Sequence, residues 1–223
     1  MIQAVDDYFD SDASEFLEYC WPRGKNSRNY DQTIVWKSEK SAEWRLGDRN
    51  KRISIAHDIV VKWGGIPRNK PENLERYVDL AGLDDPPLPI ERVTTYSKIF
   101  AIANPEKYAI YDSRVAAALN AVQIIFSKPH GPGVFFNYPQ GRNTKIYGKS
   151  GFTKTFGKKL LVDEGGWQSL ERDNTYREYL KLIKSLSDRR GHPLVHFEMT
   201  LFANAEKLCG KAREQYKGGC YQI

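Results

Sequence analysis

The stretch Thr94–Val122, TTYSKIFAIANPEKYAIYDSRVAAALNAV, decides the fold. Ser97, Ile99, Phe100 and Ile102 make a compact, mostly apolar helical segment, and Asn104-Pro105 stops it, because the residue before a proline avoids the α region. Tyr108, Ile110 and Tyr111 form a short apolar run, and Asp112 stands where a second helix begins. Val115, Ala116, Leu119 and Val122 recur at steps of three and four, the mark of one buried face. The pattern predicts helix, buried linker, helix, with a carboxylate at the second N-terminus. Two readings of Asp112 stand together: an N-cap that accepts a backbone N–H, and a carboxylate kept ionised by the helix end while it faces a cleft.

Working outward, Ile53–Trp63 (ISIAHDIVVKW) predicts an apolar helix ended by Gly64-Gly65, and Asn73–Leu83 a short amphipathic one with Leu74, Tyr77 and Val78 on one face. His57 and Asp58 are adjacent on the first, point apart, and are read as structural. A helix is also expected before Pro22, with Phe16, Leu17, Cys20 and Trp21 on one side. Trp36 and Trp44 could stack on bases, although a tryptophan more often anchors a core. Gly82–Pro89 reads as a rigid turn with Asp84 and Asp85 on its surface. Toward the other end, Tyr176–Leu186 and the run from Pro193 to Leu208 are amphipathic helices, with Glu198 marked as a pocket acid inside the second. His192, His196 and Glu198 complete no metal-ligand set, so no metal or cofactor is expected.

Residues 127–166 break the helical pattern. From Lys128 to Lys159 this segment holds Lys128, Arg142, Lys145, Lys149, Lys154, Lys158 and Lys159 and no acidic residue, with Phe135, Phe136, Tyr138, Tyr147, Phe152 and Phe156 between them. Lysine and arginine neutralise phosphates while aromatic faces stack on unpaired bases. The alternative is a twisted hairpin with its aromatics packed inward and its lysines solvated. A small β-rich insertion near 127–165 is expected, within a mainly α chain.

The totals agree with an anionic partner. The 223 residues carry a net charge of +6 and a pI near 9.1. One domain is the expectation at this length. No apolar run is long enough for a membrane helix, the acidic start MIQAVDDYFDSD has no apolar signal core, and Cys20, Cys209 and Cys220 lack paired metal spacing. These features predict a cytoplasmic monomer with reduced thiols and no membrane partner.

The order of helix, proline break, Tyr108-Ala109-Ile110-Tyr111-Asp112 and a helix with Val115 resembles the core of the helix-hairpin-helix DNA glycosylases. The resemblance implies a two-lobed helical fold and a base-flipping enzyme that excises a base from DNA, with Asp112 as catalytic carboxylate. Members with a lyase step carry a lysine at the position of Val93, so the valine implies a monofunctional enzyme that leaves an abasic site. Gly82–Pro89 occupies the place of the family's glycine-rich hairpin but offers prolines without N–H groups. Beside the resemblance, Lys98, Arg114, Lys128, Arg142, Lys145, Lys149 and Lys154 are the expected DNA contacts, Arg114 being equally readable as a solvated charge. Tyr111, Phe135, Phe136, Tyr138 and Tyr147 are the expected base pocket or stacking groups. The long loop is similar in kind to what bacterial antiphage glycosylases would need for glucosylated hydroxymethylcytosine. A non-catalytic nucleic-acid-binding module is the alternative.

Overall fold

The computed structural model describes residues 2–11, 19–22, 26–126 and 131–217. It is mainly helical. The elements are α1 (Ile2–Asp10), α2 (Tyr30–Leu46), α3 (Arg49–His57) continuing as a π-helical segment (Asp58–Trp63), α4 (Pro71–Leu80), α5 (Val93–Ala103) and α6 (Ser113–Phe126). After them come β1 (Val134–Phe135), the single turns α7 (Thr144–Tyr147) and α8 (Phe152–Thr155), and a second π-helical segment (Lys159–Glu164). The chain closes with β2 (Gln168–Ser169), a 3-10 turn (Arg172–Asn174), α9 (Thr175–Arg190) and α10 (Leu194–Lys217). No described helix is long and apolar enough to cross a membrane.

The decisive stretch folds as its pattern predicts. Asn104 caps α5, a turn follows at 105–107, and Tyr108–Asp112 then forms a non-helical linker to the start of α6. Helix α6 is buried from Ser113 to Ile124 except at Arg114. Its alanines leave room for a neighbouring backbone, and α10 lies along it while α1 packs on it too. Two polar residues in this buried helix have a structural task. Asn120 Nδ2 donates to Phe136 O at 2.9 Å and its Oδ1 accepts from Phe136 N at 3.0 Å. Gln123 Nε2 donates to Val134 O at 3.0 Å and its Oε1 accepts from Val134 N at 2.8 Å. These amides do for β1 what a neighbouring strand would do, and they satisfy backbone groups that burial would otherwise leave unpaired. Gly133 is required beside them, because a Cβ there would stand 2.6 Å from Gln123 Oε1.

The expected β-rich insertion is corrected. Among the described residues of 131–167 the only strand is the two-residue β1, which pairs in parallel with β2 through Val134–Gln168 and Phe135–Ser169. The rest is extended chain and short helical turns. The physical reason is a helical spacing that the glycines obscure: Phe152 and Phe156 are four apart, their ring centroids lie 4.7 Å from each other, and both are buried with Ile146 and Leu161. Residues 12–18, and with them most of the helix expected before Pro22, lie outside the described residues. Trp21 itself is not helical but bridges to Arg28. The α2 helix was not anticipated. Its N-terminus carries a capping box in which Asn29 and Gln32 satisfy each other's backbone N–H. Asp84 and Asp85 are exposed on their turn, as expected, with Asp85 paired to Arg177 at 3.1 Å.

Candidate active site

The residues between the two decisive helices are immobilised one backbone group at a time. Tyr176 OH donates to Ala109 O at 2.9 Å and Tyr179 OH to Ile110 O at 3.0 Å. Ile110 N donates to Glu198 Oε2 at 3.0 Å, and Tyr111 N to Ser97 Oγ at 3.2 Å. Side chains of α5, α9 and α10 thus hold a non-helical strip of main chain that lies inside the core. At its end Asp112 Oδ1 accepts from Arg114 N at 2.9 Å and Val115 N at 3.0 Å, which makes the residue the N-cap of α6. Asp112 Oδ2 takes no hydrogen bond from the described residues and is left for whatever enters beside it.

What lies beside it is an open cleft of about 1120 Å³. Five strips of chain line it: Trp63–Ile66, Ile90–Lys98, Ile110–Arg114, Tyr138–Lys145 and the Glu198–Glu206 face of α10. Tyr19, Trp21, Pro22 and Arg172 complete the lining. The Tyr138–Lys145 strip is pressed against the start of α6, since a Cβ on Gly141 would fall 2.1 Å from Ser113 Oγ. Glu198 in the lining belongs to a buried ion pair: Lys37 Nζ donates to Glu198 Oε1 at 2.7 Å, and Glu198 is 4% exposed. Beside it Lys98, 5% exposed, donates from Nζ to Thr94 O at 2.8 Å. Burial holds the Lys98 amine below its ordinary range, against the pull of Asp112 and Glu198. Burial also raises the Tyr19 phenol, and the charge on Glu198 adds to it.

On the far side Glu206 gathers the cations. Arg114 Nη2 stands 3.0 Å from Glu206 Oε1 and Lys145 Nζ 2.7 Å from Oε2, while Asn143 Nδ2 donates to Oε1 at 2.8 Å. Burial pushes the Glu206 carboxyl up, but hydrogen bonds from Lys145 and Asn143 and the charge of Arg114 prevail and hold it at about 2. The Arg114 guanidinium also lies 4.9 Å from the Phe202 ring and 5.7 Å from that of Trp21. Arg142 reaches across the cleft, its Nη1 3.4 Å from Gly65 O.

Of the residues singled out in the sequence, Asp112, Lys98, Arg114, Arg142, Lys145, Tyr138 and the pocket acid Glu198 share this one cleft. Lys149 and Lys154 are exposed but not part of the lining, and Lys128 lies outside the described residues. Tyr111, Phe135 and Phe136 are corrected from stacking groups to core residues. The clamp of Asn120 and Gln123 draws β1 onto α6, and Tyr111 OH is spent on Asn137 O at 2.8 Å. Tyr147 is half-buried, with its hydroxyl on Tyr138 O. Arg114 is neither solvated nor free, being tied to Glu206 and two rings. Sequence reasoning missed Tyr19, Trp21, Trp63, Arg92, Phe202 and Glu206. Glu198, Phe202 and Glu206 recur every four residues on α10, a period that marks one helix face and could have pointed to it.

The assembly offers a carboxylate oxygen, a buried amine, aromatic rings and a cationic rim around one space. Such a set can stabilise positive charge that develops in a bound molecule. The chain matches no known family model, no curated protein and no solved structure.

Proposed function

We propose that the protein is a monofunctional DNA glycosylase that hydrolyses the N-glycosidic bond of a flipped, modified base and leaves an abasic site. The observation that carries this reading is Asp112: one oxygen is spent on holding the start of α6, and the other has no hydrogen-bond partner among the described residues, in a cleft with Lys98, Arg142 and Lys145 in its lining. As the C1′–N bond stretches, positive charge builds on the sugar. An anionic oxygen beside C1′ stabilises that charge and orients a water for attack. Extruding the nucleotide costs a few kcal/mol, and Trp21, Trp63 and Tyr138 supply rings in the cleft to receive it. The cleft exceeds the roughly 300–1,000 Å³ of ordinary small-molecule sites, which leaves room for a substituent on the base. That space supports a bulky base such as glucosylated hydroxymethylcytosine, and with it a role against phage DNA. Val93, where lyase members of the resembling family carry lysine, is fully buried and offers no amine.

A second reading is a non-catalytic nucleic-acid-binding module, favoured by the fact that capping alone accounts for Asp112 Oδ1. A substrate panel separates the two. Purified protein is incubated with duplexes carrying unmodified, oxidised, alkylated, hydroxymethylated and glucosylated bases, then treated with alkali. The glycosylase reading expects strand breaks at one modified base. Binding without breaks across the whole panel contradicts it.

A further inference from the structure

Lys98 is the group in this cleft that capping and packing do not explain. A lysine buried this deeply is costly to keep unless it pairs or reacts. Its stem runs against the main chain of the π-helical turn: a Cβ on Gly64 would fall 2.9 Å from Lys98 Cε, so the glycine makes room for it. Its Nζ spends one donor on Thr94 O, and among the described residues no acceptor takes the other two. Those N–H donors and the open oxygen of Asp112 are complementary: the lining of one cleft holds both an unspent acceptor and an unspent donor.

We propose that Lys98 is a catalytic residue of the same site, the general acid that protonates the departing base. The assignment rests on the glycosylase reading above. The C1′–N bond breaks and its electron pair goes to the base. Lys98 Nζ gives one proton to that nitrogen or to the carbonyl oxygen beside it, so the base leaves neutral. Water adds to C1′ and its proton goes to Asp112, and solvent returns a proton to Lys98 as Asp112 releases one. The balance is one water consumed, one free base and one abasic sugar formed, with no oxidant or covalent intermediate.

Charged groups face Lys98 from three sides. Asp112 at the start of α6 and Glu198 on α10 favour its ammonium form, and Lys37 on α2 opposes it. Burial is the largest influence and lowers the pKa, which makes Lys98 a better proton donor than an exposed lysine and brings its deprotonation nearer to neutral pH.

The test is single-turnover cleavage, across pH, of the panel duplex on which the wild type is fastest. Lys98→Met replaces a buried charge by an apolar chain of similar length, a change buried sites tolerate. The expected result is a loss of about 10²–10⁴-fold in rate, far larger than any loss of DNA affinity. The wild-type rate falls on the alkaline side as Lys98 deprotonates, and that limb is absent from Lys98→Met. Lys98→Ala, with a space where the amine stood, regains rate in proportion to added methylammonium. Full activity and an unaltered alkaline limb in Lys98→Met overturn the assignment while leaving the glycosylase reading intact. Borohydride trapping of a wild-type covalent complex that Lys98→Met does not form also overturns it, because Lys98 would then be a nucleophile. A wild type that cleaves no panel member overturns the glycosylase reading and this assignment together.

Discussion

Two of the strips that line the cleft are mostly non-helical main chain, and they are held in opposite ways. The inner wall, Tyr108–Asp112, has its backbone groups taken by Ser97, Tyr176, Tyr179 and Glu198, all of them buried. The outer wall, Tyr138–Lys145, is held at its rim by Arg142 on Gly65 and by Lys145 and Asn143 on Glu206, contacts that water can reach. Buried hydrogen bonds open only with the core around them, whereas exposed ones open locally. The carboxylate therefore rides on the wall that cannot adjust, and Arg142 and Lys145 on the wall that can. A site needs this division when one group must meet a reacting atom while others accommodate a backbone.

The largest effect expected from breaking the inner wall is at Glu198. Glu198→Ala strands the Ile110 N–H and leaves Lys37 charged and buried, at a cost of about 3–5 kcal/mol in urea unfolding. Adding Lys37→Met should restore part of that loss, because the unpaired charge is then gone. On the outer wall Gly141→Ala drives a methyl into Ser113, whose Oγ and Cβ would lie 2.1 and 2.6 Å away. The strip must shift, with about 1–3 kcal/mol lost and weaker DNA binding in a filter or anisotropy assay.

Glu206 sharpens the comparison through pH. Its folded-state pKa is depressed from 4.5 to about 2, so its contribution to stability is present above the unfolded value and is lost as pH falls through that window. Glu206→Gln should flatten this part of the acid-unfolding curve and cost about 1–2 kcal/mol at neutral pH. The smallest effect on the fold is at the exposed rim. Arg142→Ala should change stability by less than about 0.5 kcal/mol while reducing the salt dependence of DNA binding by roughly 0.9 in log–log slope.

The inner wall was legible in the sequence because its signals are local. A proline break, an apolar run and a period of three and four predict α5, the linker and α6 in order, and the capping role of Asp112 follows from position alone. Of the outer wall, Tyr138, Arg142 and Lys145 were legible as part of a basic aromatic run, but the packing around them was not. Phe135 and Phe136 look like exposed stacking groups until Asn120 and Gln123, buried amides on α6, draw their backbone inward. Nothing in one dimension distinguishes such a clamp from two ordinary polar residues. Trp21 and Trp63 become neighbours only through a long-range bond, Trp21 Nε1 to Trp63 O at 2.9 Å. Phe152 and Phe156 carried a readable helical spacing, but the surrounding glycines made a β-rich insertion the stronger expectation.

The central claim is that the open oxygen of Asp112 acts on a sugar, and Asp112→Asn addresses it most directly. Asparagine caps a helix about as well as aspartate, so α6 and the thermal midpoint should be kept. Single-turnover excision on the best panel duplex is measured beside DNA affinity. The account predicts a rate lowered about 10³-fold or more with affinity unchanged. An Asp112→Asn protein that excises the base at the wild-type rate would contradict it.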